Sequence, residues 1–136
     1  MTDWIRVQRP SGSPDDLGPL QLAWIGDAVW EMHQRLKHTE KPRKSKDLHH
    51  AVVAEVRACA QEDALNLLSP FLSETEKSYV RRGRNNSPRG PKKIPASTYS
   101  KATGFETMVG WLFLKNPIRL ADLLERLNNC QLSTEQ

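Results

Sequence analysis

One stretch constrains this chain more than any other: Leu20-Gln21-Leu22-Ala23-Trp24-Ile25-Gly26-Asp27-Ala28-Val29-Trp30-Glu31, almost wholly apolar but with Asp27 near its centre. It contains no proline and reads as helix, with Leu20, Ala23, Trp24 and Trp30 in one stripe around Asp27. A carboxylate among such neighbours is costly to bury unless something positive meets it. Gly26 beside it costs about 1 kcal/mol in a helix interior relative to alanine, so its presence points to a second backbone coming close. The rest of the chain has to supply what meets Asp27 and what packs on Gly26.

The bounds are ordinary. At 136 residues, 38% hydrophobic and 26% charged, the chain suits one soluble globular domain with a real core. No apolar run reaches the ~18–20 residues of a membrane span, and Met1 to Leu17 has no apolar core of a secretory signal. Cys59 and Cys130 lie far apart, without metal-ligand spacing, and read as free thiols of a reducing cytosol; the expected location is cytoplasmic.

The net charge of +4 is unevenly placed. Lys77 to Lys101 holds eight Lys or Arg and no acid, leaving 12 basic and 16 acidic residues elsewhere. A local patch of this kind is a footprint for phosphates, where the plain alternative is a solvated basic loop.

Residues 1–18, with Pro10, Gly12, Pro14 and Gly18, read as a flexible lead-in. A first helix spans about Pro19 to Lys37, its apolar face being Leu20, Ala23, Trp24, Ala28 and Trp30. A second runs from about Ser45 to Leu68, with Leu48, Val52, Val56, Cys59, Ala60 and Leu67 at helical spacing, and Pro70 marks its end. Ser73-Glu74-Thr75-Glu76 has the form of a capping box and starts a third helix, with Tyr79 and Val80 inward, reaching about Arg82. Gly83 to Ser97, rich in Gly, Pro and Asn, reads as a long functional loop. A fourth helix covers Ser97 or Thr98 to Leu114. Asn116-Pro117 opens a fifth, to about Asn128, with Leu120, Leu123, Leu124 and Leu127 buried, before a polar tail over 130–136. With no β-alternation, the class is all-α, five or six helices, the main domain spanning 19–129.

The fourth helix carries a second misplaced acid, Glu106, whose helical neighbours are Ala102, Thr103, Val109, Gly110 and Phe113. Two helices thus each present one acid and one glycine on an otherwise small or apolar face. Packing those faces brings Asp27 and Glu106 together, and two adjacent carboxylates repel unless one is protonated or a cation lies between them. Mg²⁺, which is satisfied by one or two carboxylates plus water and phosphate oxygens, is the economical cation.

Leu22-Ala23-Trp24-Ile25-Gly26-Asp27-Ala28-Val29-Trp30-Glu31 resembles the signature segment of the ribonuclease III family, in the short form called Mini-III. The likeness continues through Val80-Arg81-Arg82-Gly83-Arg84-Asn85 and through Tyr99-Ser100-Lys101-Ala102-Thr103-Gly104-Phe105-Glu106-Thr107-Met108-Val109-Gly110-Trp111-Leu112, three blocks in order. The resemblance implies the all-helical ribonuclease III endonuclease fold, a homodimer, and Mg²⁺-dependent cleavage of double-stranded RNA to 5′-phosphate and 3′-hydroxyl ends. It implies Asp27 and Glu106 as the catalytic, metal-holding acids, no separate double-stranded-RNA-binding domain, and a role in maturing the ends of 23S ribosomal RNA. A ribosomal protein that assists in placing the RNA is a further partner it admits. The resemblance also implies a departure from the fuller family pattern of four acids around the metal: aligned on Gly26-Asp27, two of those positions are Leu20 and Ala23, the second an acid in the wider family, and Thr103, three before Glu106, also stands where that family has an acid, so a firmly held second metal is not expected and the metal should be held more weakly.

Without a binding domain, Arg81, Arg82, Arg84, Lys92 and Lys93 are the candidates to grip phosphates, with Asn85 and Asn86 as donors toward the minor groove. Glu31, one turn after Asp27, reads more readily as a surface ion-pair partner than as part of the site. Lys101 is a candidate to approach the leaving group. His33, His38, His49 and His50 have no spacing that joins the acids. Trp24, Trp30, Phe105, Trp111 and Phe113 read as core or dimer interface. The rivals to an endoribonuclease are a non-catalytic structured-RNA or ribosome-assembly module and, more distantly, a basic helical DNA-binding protein.

Overall fold

In a computed structural model, residues 5–8, 11–39 and 54–135 are described. Among them the chain is all-helical: α1 Pro19–His38, α2 Ala54–Leu68, α3 Glu74–Asn85, α4 Ala96–Lys115 and α5 Pro117–Glu135, with short 3₁₀ turns at Arg6–Gln8, Pro14–Asp16 and Ser69–Phe71. The expected start of the second helix, with Leu48 and Val52, lies outside the described residues.

α4 is the axis, and the other four helices all pack on it. Its buried residues face every direction, from Thr98 and Thr103 to Phe105, Val109 and Leu114, as suits a helix enclosed by others. The core around it joins Leu22 and Trp30 of α1, Leu65 and Leu68 of α2, Tyr79 and Val80 of α3, and Leu120, Leu123 and Leu127 of α5. Trp30 meets Phe105 edge-on, centroids 5.0 Å apart and planes at 90°.

The buried line of α1 keeps Ala23 and Trp30 of the expected face but not the rest. Leu22, Ala23, Gly26 and Trp30 face inward, while Leu20 is 45% and Trp24 81% exposed, and Ala28 is exposed too. Gly26 decides this. A methyl there would overlap the carbonyl oxygen of Glu106 and lie 2.9 Å from the nitrogen of Gly110; one on Gly110 would overlap the carbonyl of Leu22. The two backbones touch, and the line through Gly26 goes to the core instead of the bulkier tryptophan line.

α2 likewise turns Ala58, Gln61, Ala64, Leu65 and Leu68 inward and leaves Cys59 exposed, correcting the expected placement of that cysteine. It ends where Pro70 enters a 3₁₀ turn.

The capping box forms as read: Ser73 Oγ accepts from the Glu76 N–H at 3.1 Å, and Glu76 Oε1 accepts from the Ser73 N–H at 2.8 Å. α3 does not stop at Arg82, however. Gly83 is inside it, at a crossing where a side chain would overlap Thr107 Oγ1 and lie 2.8 Å from the Cα of Gly104. Gly83 is therefore a packing position rather than a terminator, and Arg84 and Asn85 are helical. α5 opens as expected, with Asn116 Oδ1 accepting from the Arg119 N–H at 3.1 Å. It runs on past Asn128 because no glycine or proline follows to end it.

Ahead of α1, Asp15 accepts from Trp111 Nε1 at 2.8 Å and from Lys115 Nζ at 3.2 Å, while Trp111 stacks on Tyr79 at 4.4 Å. These contacts tie residues 13–18 to α3 and α4.

Glu76 also holds α3 to α5. It is 3% exposed, and Arg119 reaches it with Nε at 2.9 Å and Nη2 at 3.0 Å while donating to the Phe71 carbonyl at 2.7 Å. Burial alone would raise the Glu76 pKa; the Arg119 hydrogen bonds and the Ser73 N–H outweigh it and hold it below the ordinary glutamate value of 4.5. Arg119→Ala should cost about 2–4 kcal/mol in urea denaturation at neutral pH, since it leaves a buried acid unpaired. Because the folded pKa is depressed, this contribution is present above pH 4.5 and lost as pH falls through the folded value, so the gap from wild type should close in acid. Equal stability of the two proteins at neutral pH would refute the role given to this pair.

Candidate metal centre and phosphate-binding groove

The glycine crossing places the acids. Asp27 follows Gly26 on α1, and Glu106 supplies the very carbonyl that Gly26 touches on α4. The two carboxyls come within hydrogen-bonding reach, and Glu106 is half-buried. Its pKa is pushed up to about 8, first by burial and then by the hydrogen bond to and charge of Asp27. Gln61 and Arg57 act on Glu106 in the opposite sense, toward ionisation.

What meets Asp27 within the described protein is Arg57, on α2, whose Nη1 donates to Asp27 Oδ1 at 2.8 Å. Gln61, one turn further on and 2% exposed, brings its amide to Glu106, yet its Nε2 completes no well-formed hydrogen bond. Neither residue stood out in the sequence. Both lie on a helix whose charged and polar positions look alike until α1 and α4 are in place.

The donor set is small. Among the described residues no three or more His, Cys, Asp or Glu converge in a way that could hold a metal ion. Ala23 is buried and offers only a methyl. The hydroxyl of Thr103 is already used, donating to the Tyr99 carbonyl at 3.0 Å and accepting from Ser87 at 3.1 Å. Two hard carboxylates, one of them pushed toward its protonated form by burial and by the other, fit a water-rich divalent ion such as Mg²⁺ and do not form an all-protein cage. Glu31 is engaged with Arg35 at 2.6 Å, and Lys101 with Glu62 at 3.7 Å, so neither is directed at the acids. His33 is half-buried beside Trp30 and held below the usual histidine pKa by burial and by Lys37.

The basic run divides between a helix end and a loop. Arg84 and Lys92 line a groove of about 690 Å³, together with Arg89, Tyr99 and Ser100. Arg81, Asn85 and Lys77 line an adjoining pocket of about 300 Å³ that shares Arg84 and Ser100. Lys93 is exposed but lines neither, and Arg82 instead lies over the Tyr79 ring, 4.9 Å from its centroid. Arg89, part of the same acid-free run, was the residue to add from sequence. The groove is tied to the acids through the Ser87–Thr103 hydrogen bond, one helical turn before Glu106.

Residues 20–117 match the model of the ribonuclease III domain. The chain belongs to the ribonuclease III family. It is 40% identical over 121 residues to the Mini-ribonuclease 3 of Thermosynechococcus vestitus, covering 89% of this chain and 80% of that protein. It is 36% identical over 132 residues to that of Kosmotoga olearia, covering 95% and 90%. The crystal structure of protein FN1578 from Fusobacterium nucleatum matches with a TM-score of 0.71 at 25% identity, over 89% of this chain and 96% of that one. This ribonuclease III-family chain is thus of the Mini-III kind, from a family of endoribonucleases, and no described helix is long and apolar enough to cross a membrane.

In the metal-free protein the raised pKa of Glu106 carries a stability consequence. Its contribution is present below the ordinary value of 4.5 and is lost as pH rises through about 8. In the presence of a chelator, Glu106→Gln should therefore be more stable than wild type at about pH 8.5, by roughly 1–3 kcal/mol, with the advantage vanishing near pH 5. Parallel stability curves for the two proteins over that range would show that the acids are not coupled.

Proposed function

We propose that the protein is a Mg²⁺-dependent endoribonuclease that cleaves double-stranded RNA, matures the ends of 23S ribosomal RNA precursor, and works as a homodimer in the cytoplasm. The observation that carries the reading is the Asp27–Glu106 pair: two carboxylates pressed together by a backbone-to-backbone crossing, tied through Thr103 to a basic groove.

When bound, the ion supplies Lewis-acid chemistry for hydrolysis of a phosphodiester. Asp27 and Glu106 are the residues that would hold it, Glu106 in its ionised form. Arg81, Arg84 and Lys92 grip the RNA backbone, and Asn85 offers an amide to 2′-hydroxyls in the minor groove, where duplex RNA is read by shape. Arg82 and Lys93 contribute a more distant attraction. The homodimer is supported by the exposed row Leu20, Trp24, Ala28 and Met32 on α1, which a second copy would cover. A two-fold axis then provides one acid pair for each strand.

A specific observation favours a second reading. Asp27 already has a cation in Arg57, as in a binding module that has no need of a metal. Asp27→Asn separates the two. With duplex RNA and Mg²⁺ the variant should lose cleavage by at least about a thousandfold while its RNA affinity stays within about threefold. Cells carrying it should accumulate 23S ends that are not matured. Equal processing by variant and wild type would sink the metal-acid reading, and binding without cleavage by the wild type itself would leave the binding-module reading standing. On the groove, Arg84→Ala and Lys92→Ala should each flatten the salt dependence of RNA binding by about one unit of slope, against no change for a surface lysine elsewhere.

A further inference from the structure

Arg57 is the cation at the acid pair, and nothing in the function described so far uses it. α2 forms a third wall beside the crossing of α1 and α4, and it turns two residues to the acids, Arg57 toward Asp27 and Gln61 toward Glu106. The ion pair is not sealed away: the side chain of Arg57 is 27% exposed and that of Asp27 36%. A partly exposed pair of this kind contributes little to stability by itself. A guanidinium stays charged at all working pH values, and its planar fork matches the oxygens of a phosphate. Because Arg57 lies 2.8 Å from Asp27, a phosphate brought to the acids comes within its reach. One turn before each acid, Ala23 offers only a methyl and the Thr103 hydroxyl is already hydrogen-bonded.

We propose that Arg57 is a charge-balancing and phosphate-binding residue of this site: it neutralises Asp27 in the metal-free protein and turns to the scissile phosphodiester when Asp27 is shared with a divalent ion. The inference rests on the reading of Asp27 and Glu106 as metal-holding acids. It makes Arg57 a competitor of the ion and a helper of the reaction at once. A residue with a purely structural role would weaken both when removed.

The test measures Mn²⁺ binding by electron paramagnetic resonance, with the metal alone, and single-turnover cleavage of duplex RNA at saturating Mg²⁺. Arg57→Ala should bind Mn²⁺ about 3–10-fold more tightly than wild type, yet cleave about 10–100-fold more slowly. Arg57→Lys keeps the charge and the stem without the fork; it should hold Mn²⁺ as wild type does and still cleave about tenfold more slowly. This second variant keeps the test open should the alanine protein fold poorly. Mn²⁺ affinity of Arg57→Ala equal to or weaker than wild type, or cleavage by both variants within twofold of wild type, overturns the proposal. Mn²⁺ binding to the wild type that Asp27→Asn leaves untouched overturns the metal reading beneath it, a result distinct from either.

Discussion

Everything at the site depends on one contact, the crossing of α1 and α4 at Gly26 and Gly110. There the carbonyl oxygens of Glu106 and Leu22 occupy the space that side chains would fill. Such an approach requires glycine on both sides, and each glycine weakens its own helix by about 1 kcal/mol relative to alanine. What the crossing achieves is a short, fixed distance between two residues that would otherwise avoid each other. Burial and the neighbouring charge together keep Glu106 from ionising at ordinary pH. The core of Leu22, Trp30, Phe105 and Val109 around the crossing holds that unfavourable arrangement in place. Stability from the packed residues is set against electrostatic cost at the acids, a usual pattern for a functional site.

The parts that could be read from the sequence are those whose signals are local or whose misfit is visible alone. Ser73 and Glu76 cap α3 because both partners of the box lie within one turn. Asn116-Pro117 opens α5 for the same reason. Gly26 and Gly110 stand out because glycine inside a strong helix needs an explanation, and each sits beside an acid that needs one too. The parts that were hidden depend on what packs where. Trp24 reads as core by hydrophobicity, but the line chosen for burial is the one that contains Gly26. Gly83 reads as the end of α3 until Gly104 and Thr107 are seen against it. Arg57 and Gln61 carry no local mark at all; only the placing of α2 beside the crossing singles them out from the other polar residues of that helix.

The fold also brings the basic residues and the acids into one region although they come from separate stretches. α3 crosses α4 through Gly83 and Gly104, which aims Arg81, Arg84 and Asn85 along the start of α4. The loop that follows is pinned at Thr103 by Ser87. Thr103 thus links groove and acids, one turn ahead of Glu106 and three positions from it in sequence. The threonine hydroxyl in that place gives the basic loop a fixed anchor.

The charges at the acid pair complete this picture. With Glu106 protonated and Asp27 facing Arg57, the metal-free site is close to neutral, which offsets the cost of bringing two partly buried carboxylates together. With both acids ionised around a divalent ion and Arg57 alongside, the same site carries about one unit of positive charge, matching the single negative charge of a phosphodiester. Four acids around one ion would leave about two units of negative charge, and a second ion would only cancel it, short of that balance. Two acids and an arginine reach it with one.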